Sequence, residues 1–120
     1  MQRREEFEEF VKKLKKASKD KIILVEGIKD KKALEQLGIK NITTLKKPLH
    51  AVIEDVLATK KECIILTDLD KKGKQLYARL SSKLNQFGVK IDNSFREFLF
   101  KTKLRQIEGI NRYLETIQQL

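Results

Sequence analysis

One stretch, Ile64-Ile65-Leu66-Thr67-Asp68-Leu69-Asp70-Lys71-Lys72-Gly73, constrains this chain more than any other. It is an apolar, β-branched run that stops at two acids spaced i and i+2, with a glycine three residues further on. A run without polar alternation predicts a parallel strand covered on both faces. Its acids then stand at the carboxyl end of the strand, where open α/β sheets take their ligands. A second stretch repeats the plan: Ile22-Ile23-Leu24-Val25-Glu26-Gly27, with Asp30 three residues after the glycine. For Glu26 to meet Asp68 and Asp70, the two strands must be neighbours. The order 2-1-3-4 does this and puts the topological switch point between strands one and three.

The remaining apolar spacing fills in that plan. Residues 3–17 predict a helix, with Phe7, Phe10, Val11 and Leu14 on one stripe. Strands are expected at 21–26, 39–43, 62–67 and 88–92. Helices are expected at about 30–37, from about Pro48, and at 73–86. A short helix capped by Asn93 or Ser94 carries Phe95, Phe98 and Leu99. A last helix is expected from about 103 to 119, through Leu104, Ile107, Ile110, Leu114 and Ile117. The result is a three-layer α/β/α fold with a four-stranded, mainly parallel sheet and added helices at both ends. At 120 residues the chain is expected to form a single domain, its motif-bearing core at about 20–93.

Clustered carboxylates repel and raise one another's pKa unless a cation sits among them. Oxygen ligands with no His or Cys nearby suit Mg²⁺ or Mn²⁺, which keep several waters and take substrate phosphate as a further ligand. Gly27 and Gly73 would let backbone approach such a phosphate and open helix N-termini that favour anions. Acids after strands also cap helices, and Asp30 alone reads as a cap. Glu26 is harder to explain that way, because a Glu ending an apolar strand is a poor cap and a costly burial.

The same residues carry a family resemblance. Val25-Glu26-Gly27-Ile28-Lys29-Asp30 and Thr67-Asp68-Leu69-Asp70-Lys71-Lys72-Gly73 resemble the two signatures of the Toprim domain, about 40 residues apart. That domain occurs in bacterial primases, type IA and type II topoisomerases, several nucleases and recombination mediators, and in small stand-alone proteins of similar length. The resemblance implies that Asp68 and Asp70 bind Mg²⁺. It implies that Glu26 is a general acid/base or a further ligand, and that Asp30 matches the family's extra acid. No particular reaction carries over. Tyr77 and Tyr113 are poorly placed for a topoisomerase nucleophile, and the chain is too short for a primase's other modules.

Net charge is +10, which suits a polyanionic partner, although Lys/Glu-rich surfaces also mark proteins of hot environments. Position favours the first reading. Lys29, Lys31, Lys32, Lys46, Lys47, Lys71, Lys72 and Lys74 fall in loops and first turns at the acid edge. Lysine rather than arginine there suggests phosphate contact without base reading. Nucleic acid, DNA or RNA, is the expected partner, with room for a partner protein. No apolar run is long enough for a membrane span, and no leader segment is evident, so a cytoplasmic location is expected. The expected activity is Mg²⁺-dependent chemistry on nucleic-acid phosphodiesters, most simply a nuclease or nucleotidyl-transfer module. The alternative is a non-catalytic binding accessory that keeps the metal site.

Overall fold

A computed structural model describes residues 3–117. The elements, in chain order, are α1 (Arg4–Ala17), β1 (Ile22–Val25), α2 (Ile28–Gln36), β2 (Ile42–Thr44), α3 (Leu49–Thr59), β3 (Cys63–Ile65), α4 (Lys71–Gln86), α5 (Ser94–Phe100), a 3₁₀ turn (Ile107–Gly109) and α6 (Ile110–Thr116). The sheet is parallel in the order β2-β1-β3, with Ile23 opposite Ile42 on one side and Ile64 on the other. Strands one and three are neighbours, as the acids required.

Successive strand residues point to opposite faces, and each face has its own core. Ile23, Val25, Ile64 and Leu66 pack against α1, α2, Leu99 of α5 and the 104–110 segment. Ile22, Leu24, Cys63 and Ile65 pack against Val52, Ile53 and Val56 of α3 and Leu80 and Leu84 of α4. Cys63 is fully buried, and that burial pushes its thiol up to about 12, so it packs as an apolar side chain.

Two expectations need correction. The sheet has three strands, not four. The expected fourth strand touches β3 through a single parallel bridge, Ile91 to Cys63. The chain then turns away, because Asp92 Oδ1 accepts from both the amide and the hydroxyl of Ser94, at 3.0 and 2.6 Å. Asp92 Oδ2 meanwhile accepts from Lys21 Nζ at 2.7 Å. These bonds end pairing after one residue. The last helix begins at Ile110, after the 3₁₀ turn, and not near 103. Residues 101–106 cross the sheet end as irregular chain, and the expected helical positions 118 and 119 lie outside the described residues.

The N- and C-terminal elements close one face together. Phe10 stacks on Phe98 with ring centroids 4.6 Å apart, and Phe7 meets Tyr113 at 5.2 Å. Among the described residues, no helix is long and apolar enough to cross a membrane.

Candidate functional site at the strand ends

Each of the four acids read from the sequence reaches the carboxyl edge of the sheet, and each has a backbone partner there. Glu26, just past β1, accepts from the Asp68 amide at 2.8 Å. This bond ties the ends of the two neighbouring strands together. Asp68 Oδ1 accepts from the Ile107 amide at 2.9 Å. Asp70 is the N-cap of α4, its Oδ1 accepting from the Gly73 amide at 2.8 Å. Asp30 sits in the first turn of α2, at the third helical position and not at the cap. It is 7% exposed and accepts from the Gly27 amide at 3.1 Å.

The acids feel one another's charge. Asp68 is pushed up to about 6, by burial first and then by repulsion from Asp30, Glu26 and Asp70, against the pull of the Ile107 amide. Asp30 is also raised, by burial first and then, against the Gly27 amide, by Glu108 and Glu26. Glu108, on the 3₁₀ turn, is thus an acid of this edge that sequence reading passed over.

The two glycines serve the chain itself. A Cβ on Gly73 would stand 1.8 Å from the Asp68 carbonyl oxygen, so only glycine lets the first turn of α4 pack on the acid loop. Its amide is taken by Asp70 and its carbonyl by the Thr67 hydroxyl, at 2.8 Å each. Gly27 faces open space, but its amide is taken by Asp30. The phosphate contact expected of these two amides is therefore already met by carboxylates within the chain. The lysines do stand around them: Lys29, Lys32, Lys71, Lys72 and Lys74 are exposed and Lys31 half-buried, all in the opening turns of α2 and α4.

Arg96 is a second residue that sequence reading missed. It is 4% exposed, and its guanidinium donates to the Thr67 carbonyl at 2.5 Å and the Asp68 carbonyl at 3.1 Å. The guanidinium lies 4.8 Å from the Tyr77 ring centre and 5.0 Å from that of Phe100. Burial lowers its pKa, opposed by Tyr77 and by Glu26, Asp68 and Asp70. A fixed cation therefore lies directly behind the acid loop. The available signal was Arg96 at i−3 from Leu99, which places both on the inward side of a short helix.

A Toprim domain model matches residues 20–93. The chain belongs to the Toprim family. Among similar proteins, a UPF0292 protein of Methanocaldococcus jannaschii is 31% identical over 95% of this chain and 96% of its own length. A UPF0292 protein of Pyrococcus abyssi is 35% identical over 87% of this chain and 78% of its own. A solved structure of an Aquifex aeolicus protein superposes with a TM-score of 0.82 at 38% identity, covering 85% of this Toprim chain and 95% of the other.

Toprim domains generally bind Mg²⁺, and the donor set here suits that ion. Each carboxylate offers hard oxygen, and among the described residues Asp68 Oδ2, Asp70 Oδ2 and Glu26 Oε1 take no hydrogen bond from the protein. A half-buried acid such as Asp68, surrounded by other acids, is the electrostatic condition that a dication relieves. Among the described residues no three Asp, Glu, His or Cys side chains already converge as a metal-holding set. A hexa-coordinate ion held by one or two carboxylates and several waters does not require such a set.

Proposed function

We propose that this Toprim protein acts on nucleic-acid phosphodiesters with Mg²⁺ or Mn²⁺, as a nuclease or nucleotidyl-transfer module formed by residues 1–120 as one domain. The observation that carries the reading is Asp68, raised to about 6 by burial and three neighbouring carboxylates at a parallel-sheet edge. Asp68 and Asp70 would hold the ion, with Glu26 as a further ligand or as the group that moves a proton. When bound, the ion would polarise a phosphoryl oxygen and stabilise developing charge. Asp30 contributes charge from behind, and Arg96 holds the Thr67 and Asp68 carbonyls so that the acid loop keeps its shape. Lys29, Lys31, Lys32, Lys71, Lys72 and Lys74 would meet phosphates, and the strand-end rim would take the scissile one.

The test is turnover of labelled single- and double-stranded DNA and RNA with Mg²⁺ or Mn²⁺. Wild type should cleave or join at least one of them, and Asp68→Asn and Asp70→Asn should each lower the rate by about a hundredfold or more. Calorimetry should show metal binding weakened in both variants. Equal metal binding by wild type and the double variant would remove the metal from this edge. The second reading, a binding accessory without turnover, is favoured by the unconverged side chains. It predicts Mg²⁺ binding and strand binding with no product from any substrate.

A further inference from the structure

The segment that crosses the acid edge after α5 builds a surface of its own. It lies outside the residues matched by the family model. Leu69 donates its amide to the Arg105 carbonyl at 2.7 Å, and Ile107 donates to Asp68, so this segment is fastened to the acid loop at two points. Between it and α6 runs a groove of about 450 Å³, lined by Asp70, Lys103, Arg105, Gln106, Arg112 and Tyr113. Lys103, Arg105 and Arg112 are exposed. Among the described residues none of the three forms an ion pair. Three cations therefore face one carboxylate in a groove that ends at the candidate metal site. Charge relief for the acids does not explain them, because none reaches a carboxylate.

Arg105 is preset. Its Nη1 donates to the carbonyls of Thr102 and Leu104 at 2.9 and 2.7 Å. Those bonds fix the guanidinium and leave Nη2 and Nε without a protein partner among the described residues. A planar fork held in place with free N–H groups matches a phosphate better than a mobile ammonium does.

We propose that this groove seats the backbone of a single nucleic-acid strand, with Lys103, Arg105 and Arg112 on consecutive phosphates leading to Asp70. The inference rests on the nucleic-acid reading above. It moves the main phosphate contact from the lysines of α2 and α4 to the segment after α5. It also supplies arginines at an edge where the sequence alone promised only lysines. Tyr113 lines the same groove, and its ring offers an unpaired base a stacking face that a paired duplex does not use, which favours a single strand.

The test is done without divalent ions, with the full chain and a fluorescent oligouridine or oligothymidine strand, by anisotropy across a salt series. Three phosphate contacts predict that Lys103→Gln/Arg105→Gln/Arg112→Gln lowers the slope of log K against log salt by about two units. Lys12→Gln/Lys13→Gln/Lys15→Gln/Lys16→Gln on α1 should leave the slope at its wild-type value. The substituted side chains are exposed, so thermal midpoints close to wild type should confirm that both variants fold. A wild-type slope in the groove variant, with the loss appearing instead in Lys71→Gln/Lys72→Gln/Lys74→Gln, overturns the groove. So does failure of wild type to bind any strand, or an equal slope loss with a duplex of the same length. Because the metal is left out, the two readings fail separately. Turnover with an unchanged groove slope sinks the groove alone, and a groove-dependent slope without turnover or Mg²⁺ binding sinks the metal chemistry alone.

Discussion

Asp68 keeps its proton in the folded chain up to about pH 6, well above the ordinary aspartate value of 3.8. The sign of its effect on stability follows. The folded state binds this proton more tightly than the unfolded state. The group's contribution is therefore full below about pH 4, shrinks as pH climbs to about 6, and stays reduced above that. Asp68→Asn removes the charge and keeps an oxygen for the Ile107 amide. At neutral pH without divalent ions it should stabilise the protein by about 1 kcal/mol, after discounting for solvent screening. Thermal melts of both proteins in EDTA at pH 4 and pH 7.5 would check this, because the gap between them should open only at the higher pH. The acids themselves were legible in the sequence, since Glu26, Asp68 and Asp70 each end an apolar run. Their partners were not. The Ile107 amide and the Arg96 guanidinium reach Asp68 and its loop from 39 and 28 residues away, and nothing local marks a backbone amide as a future donor.

Helix α4 depends on the acid edge for its start. Asp70 both caps it and stands ready as a candidate ligand, so the two roles can be separated by substitution. Asp70→Ala loses the bond to the Gly73 amide and should cost about 1 kcal/mol. Asp70→Asn still caps, so its stability should stay within about 0.5 kcal/mol of wild type while metal binding falls. Chemical denaturation of the two variants side by side distinguishes them, and equal losses would mean that the charge and not the cap holds the turn. Helix positions were read well wherever apolar residues recur on a long element. The error came at 103–109, where Leu104, Ile107 and Ile110 recur at helical spacing across a loop and a 3₁₀ turn. Their spacing records which side chains are buried, not which backbone carries them: all three cover the same face of the sheet. Strand four failed for a related reason. Its β-branched residues are present, but Asp92 diverts the chain after one bridge.

In the molecule as a whole, the family core at residues 20–93 is incomplete without its flanks. One sheet face is covered by Phe7, Phe10 and Leu14 from the N-terminal helix and by Leu99, Leu104, Ile107 and Ile110 from beyond residue 93. At about 2 kcal/mol for each buried side chain, their combined loss matches or exceeds the net stability of an ordinary domain. A fragment of residues 20–93 should therefore show no cooperative thermal transition and poor amide dispersion in NMR spectra. A sharp melt near that of the full chain would show that the flanks are ornaments. The same arrangement has a consequence in time. During synthesis the chain gains Asp68 first and Ile107 39 residues later, an interval of about two to eight seconds at ordinary elongation rates. Throughout that interval the nascent chain carries its acids without the strap that seats them, so the acid edge takes its folded form only when nearly all of the described polypeptide has been made.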